Sequence, residues 1–519
     1  MNEPRRDAIP AAQGDIADFL ARLAGRAPIT THISAVFVGA DDVWKLKKAV
    51  RLPFLDFSTP ASRKHFLLRE LALNQPAAPE IYHDVIGIAR TGTGLTFCDR
   101  DSPAAIEWVL RMAVIPQGDF LDAAAPDAFT PRLCRDLADM VARLHAEAPV
   151  RTLPSHHGQL SGLIAGAAAA ARAAGLDAPT VSAWQSAILA RLDDAAPLLA
   201  RRQQDNRIRR THGDLHLRNI CLWRGLPVAI DALEFSEELA TIDIGYDFAF
   251  LLMDLEFRVG RDAANAVFNR YMALSGDLGQ LELYPIFLSL RAMIRSHIEA
   301  AQKRADAQPY LQAALAYLAP LKAPVVAIGG LPGTGKSTLA RVLAPDLGPS
   351  PGALVLRSDE IRKRLYGVAP EETLPATAYD GAANRRVAAA LLRGVSRAAA
   401  SGHGVIVDAT FRAPGLRDAA AQQARAAGRH FTGLWLEAPL PVLERRVTAR
   451  HGDASDAGLA VLRAAARIPP GPISWRKLDA TDIPLTAEAA QRFLHADALQ
   501  GIQACNSAHR ARSRNLTST

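Results

Sequence analysis

The sequence predicts two domains in series, an α+β domain that becomes largely helical and an α/β domain built on a parallel sheet. Three observations lead there. At 519 residues the chain is too long for one ordinary core, given roughly 150 residues per domain. Short apolar, strand-like runs surround one helical run up to about residue 115, and Ala- and Leu-rich helical patterning then continues to about 320. From 323 onward apolar runs alternate with amphipathic helical ones, the pattern of βαβ units.

The elements follow in order after an N-terminal segment, 1–29. The first domain, 30–320, offers strands in "AVFVGA" and "DVWKLKKAV", a helix in "ASRKHFLLRELALN", and strands in "DVIGIA", "LTF" and "IEWVLRMAVI". Its helical part is interrupted by "THGDLHLRNICLW" and the apolar strand "PVAIDAL". A last helix in "AQKRADAQPYLQAALAYLAPLKAP" stops at Pro320 and Pro324, which places a boundary near 322. The second domain, 323–500, reads as four strand–helix pairs: "APVVAIGG" with "STLARVLAP", "GALVLRSD" with "EIRKRLYG", "HGVIVDAT" with "GLRDAAAQQARAAG", and "FTGLWLEAP" with "LPVLERRVTAR". Residues 501–519, ending "HRARSRNLTST", read as a disordered basic tail.

Composition excludes several classes. With 49% hydrophobic and 22% charged residues, long disorder is not expected. The net charge of +7 suits a phosphorylated ligand but is small for a nucleic-acid coat on a chain of this length. Four cysteines, Cys98, Cys134, Cys221 and Cys505, form no C-x-x-C pair, which excludes a disulfide framework and a cysteine-rich zinc module. The start lacks the apolar core of an export signal, and no run reaches the roughly 18–20 apolar residues of a membrane span. A cytoplasmic protein without a membrane partner is expected, its oligomeric state left open.

The most specific signal is "GGLPGTGKST" at 329–338, which satisfies G-x-x-x-x-G-K-S/T between an apolar strand and a helix. Gly330, Gly333 and Gly335 let the backbone N–H groups turn toward phosphate oxygens, joined by Thr338. Lys336 brings positive charge to the β/γ-phosphates and Ser337 a magnesium ligand. Asp359 follows the second strand, where a carboxylate can take the proton of an acceptor hydroxyl, with Arg362 one helical turn on. Asp408 ends the third strand, a position that handles metal or acceptor. Arg446 and Arg450, at i and i+4, are expected on one helix face as a lid that neutralises the transferred phosphoryl group.

On these residues the stretch from about 323 to 500 resembles small P-loop kinases, including 5′-hydroxyl polynucleotide kinases and related kinases of small molecules. The resemblance implies that Asp359 is the general base and that Arg450 stabilises the transition state. It does not fix the acceptor.

"RRTHGDLHLRNI" at 209–220 admits two readings. His212, Asp214 and His216 at alternate positions suit a metal nest, but a further ligand is lacking. Asp214, Asn219 five residues on, and Asp231 at the end of a strand instead reproduce a kinase layout: base, metal-binding amide, metal-binding carboxylate. With H-G-D in place of H-R-D, residues from about 30 to 300 resemble the aminoglycoside phosphotransferase and choline kinase branch of the protein-kinase-like fold. Lys45 and Lys47 share a strand face, and Glu70 on the helix is placed to pair with either; the resemblance implies Lys45. "IEWVLRM" corresponds to the hinge strand that holds adenine, and Asp247 to a buried acid that braces the catalytic loop. Two features depart from the protein-kinase pattern: no G-x-G-x-x-G covers the phosphates, and the metal strand reads D-A-L.

Together these readings imply two ATP- and Mg2+-using phosphotransferase centres that act on a hydroxyl of a small molecule. The arrangement as a whole resembles bacterial proteins that fuse an aminoglycoside-phosphotransferase-like domain to an ATP-binding one. Two rivals remain, an ATP-switched regulatory module with a degenerate N-terminal domain, and a nucleic-acid end kinase in the C-terminal domain, which the modest basic excess disfavours.

Overall fold

The computed structural model describes residues 8–52, 55–319, 323–450 and 452–497. Pro320, the expected tail 501–519 and Cys505 lie outside the described residues. The chain forms two compact units, one from residues 1–160 and 196–254, the other from residues 161–195 and 255–519. Among the described residues no helix is long and apolar enough to cross a membrane.

The first unit carries a six-stranded antiparallel sheet in the order Ile29–Thr30, Ser34–Val38, Asp42–Lys47, Ala105–Ala113, Tyr82–Thr91 and Gly94–Cys98. The expected strands are all present. Alternation along them sends Ala35, Phe37, Leu46, Ile88 and Val109 into a core shared with Ile16 and Leu20 of the helix Gly14–Ala24. The opposite face meets the helix Pro60–Asn74 through Leu67 and Leu71. That helix starts where Thr59 accepts the Ser62 N–H and Pro60 takes the first turn, a position where a missing N–H costs nothing. It presents Glu70 to the lysines of the third strand. Further along, Ile220–Trp223 and Leu226–Ala229 pair as a short hairpin that delivers Asp231.

The second unit contains a five-stranded, wholly parallel sheet in the order Leu354–Arg357, Val405–Asp408, Val325–Gly330, Phe431–Glu437 and Arg476–Asp479. All six residues of Val325–Gly330 are buried, as a central strand covered on both faces requires. Four strands match the expected strand–helix pairs; the fifth, Arg476–Asp479, was not anticipated, because its sequence R-K-L-D buries only Leu478. The helix Arg261–Ser275 also belongs to this unit and covers the sheet edge. Asn265 Nδ2 donates to the carbonyls of Pro351 and Ala353 at 3.0 and 3.2 Å, and Asn269 Oδ1 accepts the Val355 N–H at 2.7 Å. Side-chain amides thus satisfy an edge that would otherwise offer open backbone groups.

Candidate functional sites

In the first unit the sheet, the helix and the hairpin converge on two lysines. Lys45 Nζ lies 2.6 Å from Glu70 Oε1 and 2.6 Å from Asp231 Oδ1. Lys47 Nζ lies 2.8 Å from Glu70 Oε2 and also bonds Glu234. Burial works against the charge on Lys45, but Asp231 and Glu70 outweigh it and raise its pKa well above the ordinary lysine value. Lys47 is fully buried between two carboxylates, whereas Asp231 is half exposed, so Lys45 is the lysine that borders the open side.

Asp231 has φ of +60°, a left-handed conformation that aspartate tolerates better than most residues. Its neighbours hold it there. The Asp231 N–H donates to Tyr82 Oη at 2.8 Å, the Ala232 N–H to Asn74 Oδ1 at 2.9 Å, and the Ile230 N–H to the Asn219 carbonyl at 2.9 Å. The last bond joins this segment to the 211–219 loop.

In that loop Asn219 Nδ2 donates to both Asp214 Oδ2 and the Asp214 carbonyl, each at 3.0 Å. His212 Nε2 is 2.9 Å from the Ile230 carbonyl, which only accepts, so this nitrogen carries the proton. Nδ1 is then free to accept the Asp214 N–H at 3.3 Å. Burial lowers the His212 pKa, in keeping with this neutral tautomer. Asp247, fully buried, accepts the Gly213 N–H at 2.9 Å and faces His145 Nε2 at 3.2 Å. His216 Nε2 lies 3.4 Å from Asp214 Oδ2, its ring edge-on to Phe250. Both histidines therefore have hydrogen-bonding or packing work in the loop, and no group of three or more His, Cys, Asp or Glu able to hold a metal occurs among the described residues.

In the second unit the phosphate loop lies at the carboxyl end of the central strand, where open α/β sheets bind ligands. A Cβ on Gly330 would meet the Leu436 carbonyl at 2.7 Å, and Gly335 has φ of +84° with a Cβ position 2.3 Å from Ile483 Cδ1. Gly333 lies between them in the loop, and Thr338 in the helix Lys336–Leu343 that follows. Lys336 Nζ donates to the carbonyls of Gly330 and Leu331 at 3.0 and 2.9 Å, spanning the loop, and burial lowers its pKa. Ser337 Oγ donates to Asp408 Oδ2 at 2.6 Å.

Asp359, in the first turn of the helix Ser358–Leu365, has its pKa raised, first by burial; a hydrogen bond from Ser455 opposes this and Asp408 adds to it. Arg357 was not singled out in the sequence, yet it links the site: it lies 3.3 Å from Asp408 Oδ2, 2.8 Å from Glu360 Oε1 and 2.6 Å from Asp453 Oδ1. Burial opposes its charge, and these three carboxylates raise its pKa. The available signal was an arginine ending an otherwise apolar buried strand. Arg362 is buried and bonds the Ala378 carbonyl at 2.6 Å and Asn384 Oδ1 at 2.8 Å, so it holds the segment beside the site.

The lid expectation needs correction. Arg446 lies in the helix Leu440–Ala449, but the helix stops before Arg450, whose ψ of 128° is extended, and Gly452 beyond it has φ of +63°. The two arginines do not share a helix face. Arg446 donates to the carbonyls of Ala480 and Thr481, each at 2.7 Å, while Arg450 donates to the Ala457 carbonyl at 2.6 Å.

The donor sets fit magnesium. This small hard cation takes one or two protein oxygens and completes its shell with water and phosphate. Ser337 and Asp408, 2.6 Å apart, are an oxygen set of that kind, and in the first unit Asn219 and Asp231 carry side-chain oxygens of the same type on segments joined by the Ile230 N–H to the Asn219 carbonyl.

Comparison with known proteins gives matches to both halves. Residues 32–284 match the phosphotransferase enzyme family, and residues 325–468 match an AAA domain family. Uncharacterized proteins of Mycobacterium tuberculosis and Mycobacterium bovis are 28% identical over 468 residues, covering 84% of this chain and 88% of theirs. Among solved structures, an aminoglycoside phosphotransferase of Streptomyces rimosus is 22% identical, covering 53% of this chain and 98% of its own (TM-score 0.32). A choline kinase of Cryptosporidium parvum is 12% identical, covering 56% and 87% (TM-score 0.37). A gluconokinase of Sinorhizobium meliloti is 18% identical, covering 35% and 98% (TM-score 0.25).

Proposed function

We propose that this chain, which joins a phosphotransferase-family domain over 32–284 to an AAA-type P-loop domain over 325–468, is a phosphotransferase with two centres. Each centre moves the γ-phosphate of Mg-ATP to a hydroxyl of a small molecule. The observation that carries the reading is the 2.6 Å contact of Ser337 with Asp408 beside Lys336: hydroxyl, carboxylate and ammonium at the mouth of a glycine loop form a set for metal and phosphate.

In the first domain Lys45, oriented by Glu70, would hold ATP phosphates, and Asp214 would take the acceptor proton. Asn219 and Asp231 would hold magnesium. In the second, Lys336 and the N–H groups of Gly333, Gly335 and Thr338 would hold phosphates, with Ser337 and Asp408 on magnesium. Asp359 would take the acceptor proton. Arg450 would stabilise charge on the transferred group, and Arg446 would brace the loop through Ala480 and Thr481. Magnesium, when bound, would neutralise charge on the phosphate oxygens. The protein's own contribution is placement and fixed charge, because phosphoryl transfer leaves little covalent work to the enzyme.

The acceptor is proposed to be a metabolite in the cytoplasm, not a nucleic acid or a membrane lipid. The test is phosphate transfer from labelled ATP to a panel of hydroxyl compounds. Transfer that survives unchanged in Lys336→Ala would remove the second centre. Magnesium-dependent ATP consumption with no phosphorylated product would favour an ATP-switched regulatory module, and label on 5′-hydroxyl oligonucleotides alone would favour end repair.

A further inference from the structure

Three positions beyond Asp231 the chain carries a buried acid, Glu234, to which no role has been given above. The backbone around it is held by other groups. The Ile230 N–H donates to the Asn219 carbonyl, Asp231 N–H to Tyr82 Oη, Ala232 N–H to Asn74 Oδ1 and Leu233 N–H to the His212 carbonyl, each at 2.8 or 2.9 Å. Glu234 is not needed to place this segment.

Its carboxylate bonds Lys47 Nζ instead, and both side chains are buried. Lys47 Nζ also lies 2.8 Å from Glu70 Oε2, Glu70 Oε1 lies 2.6 Å from Lys45 Nζ, and Lys45 Nζ lies 2.6 Å from Asp231 Oδ1. The charges thus run Glu234, Lys47, Glu70, Lys45, Asp231, and the chain from 231 to 234 closes the ring. Asp231, half exposed, is the member that a cation from solvent can reach.

Inside such a ring the partners compete, because each lysine divides its charge between two carboxylates and Glu70 divides its own between two lysines. The firmer the hold of Glu234 on Lys47, the more of Glu70 is left to Lys45, and the less Lys45 leans on Asp231. Charges this close and this buried interact strongly, since little water screens them. Burial raises the Glu234 pKa and Lys47 opposes that rise, so the acid depends on this lysine for its charge.

We propose that Glu234 is a positioning residue of the first centre: it draws Lys47 inward, leaves Glu70 to hold Lys45, and so leaves the Asp231 carboxylate open to magnesium. The inference rests on the reading above, in which Lys45 holds ATP phosphates and Asp231 holds the metal. Supporting partners of this kind set metal affinity without touching the ion.

The experiment uses the full chain carrying Lys336→Ala, which silences nucleotide binding by the second centre. ATP affinity is measured calorimetrically in EDTA and in saturating Mg2+, and the ratio of the two is read. Adding Glu234→Gln is expected to keep the affinity in EDTA and to lower the gain from Mg2+ by about tenfold or to nothing. Adding Lys47→Met to Glu234→Gln is expected to restore the gain, because Glu70 then holds Lys45 alone. A merely structural pair would not show that rescue. An unchanged gain in Glu234→Gln overturns the inference, and so does a gain still lost in the double variant. Where Glu234→Gln does not fold, the double variant decides in the same way. ATP binding in the Lys336→Ala chain that is absent, or indifferent to both Mg2+ and Lys45→Met, would overturn the functional reading of the first centre, a separate outcome.

Discussion

Lys45 Nζ and Asp231 Oδ1 are 2.6 Å apart although 186 residues separate them in the chain. Glu70 completes the group, and Lys47, two positions on along the strand, reaches the other oxygen of the same glutamate before turning to Glu234. Two lysines on one strand face thus serve one glutamate and part company only at their far partners, Asp231 on the open side and Glu234 in the interior.

The two lysines should fail differently. Lys45→Met is expected to reduce ATP affinity of the first domain with little loss of stability. Lys47→Met leaves Glu234 buried without its cation, and Glu70 with Lys45 alone, and should cost about 3–5 kcal/mol. Thermal denaturation beside nucleotide titration separates the outcomes; equal losses of stability in both variants would refute the distinction.

The phosphate loop tolerates no side chain at Gly335. Gly335→Ala places a Cβ at φ +84° against Ile483, at a backbone cost of about 1–2 kcal/mol, and should weaken nucleotide binding to the second domain. Lys336→Ala should lower transfer by at least ~10²-fold through lost charge on the phosphates. Isothermal titration and single-turnover assays check both.

Much of this second site was legible in the sequence, because the loop motif is contiguous and its neighbours are strand ends. The identities of Lys45, Glu70, Asp214, Asn219 and Asp231 were legible too. The choice between Lys45 and Lys47 was not fixed by spacing, since it depends on Asp231 and Glu234, three residues apart on a distant segment. The fifth strand escaped because Arg476–Asp479 has one buried apolar residue. The i, i+4 spacing of Arg446 and Arg450 suggested one helix face, and the early helix end at Ala449 undoes it. Asp453 and Asp456 read as part of an ordinary polar loop, because their partners Arg357 and Lys363 lie about a hundred residues earlier.

The second centre should show shifted pH limits. If Asp359 is the proposed base it works only when ionised, and burial raises its pKa, so kcat/KM should fall on acidification at a pH above the ordinary aspartate value of about 3.9. Burial lowers the Lys336 pKa, which brings the alkaline limb below the usual ~10.4. A kcat/KM profile with both limbs at the ordinary values would contradict these assignments.

His403 predicts an acid sensitivity of folding. Burial pushes its pKa down to about 4, below the ~6.5 of an unfolded chain. The unfolded state therefore binds the extra proton first, and stability present above about 6.5 is lost as pH falls toward 4, by up to ~3 kcal/mol. Melting temperature against pH should fall more steeply in wild type than in His403→Gln over that window. Parallel curves would exclude the effect.

The proposed function gives one chain two working phosphotransfer centres. Its most direct test is the labelled-ATP acceptor screen run on wild type, Asp214→Asn and Lys336→Ala together. Two sets of phosphorylated products are expected, one lost in Asp214→Asn by about 10²–10⁴-fold and the other lost in Lys336→Ala. A single set that disappears in Lys336→Ala and is untouched by Asp214→Asn would contradict it.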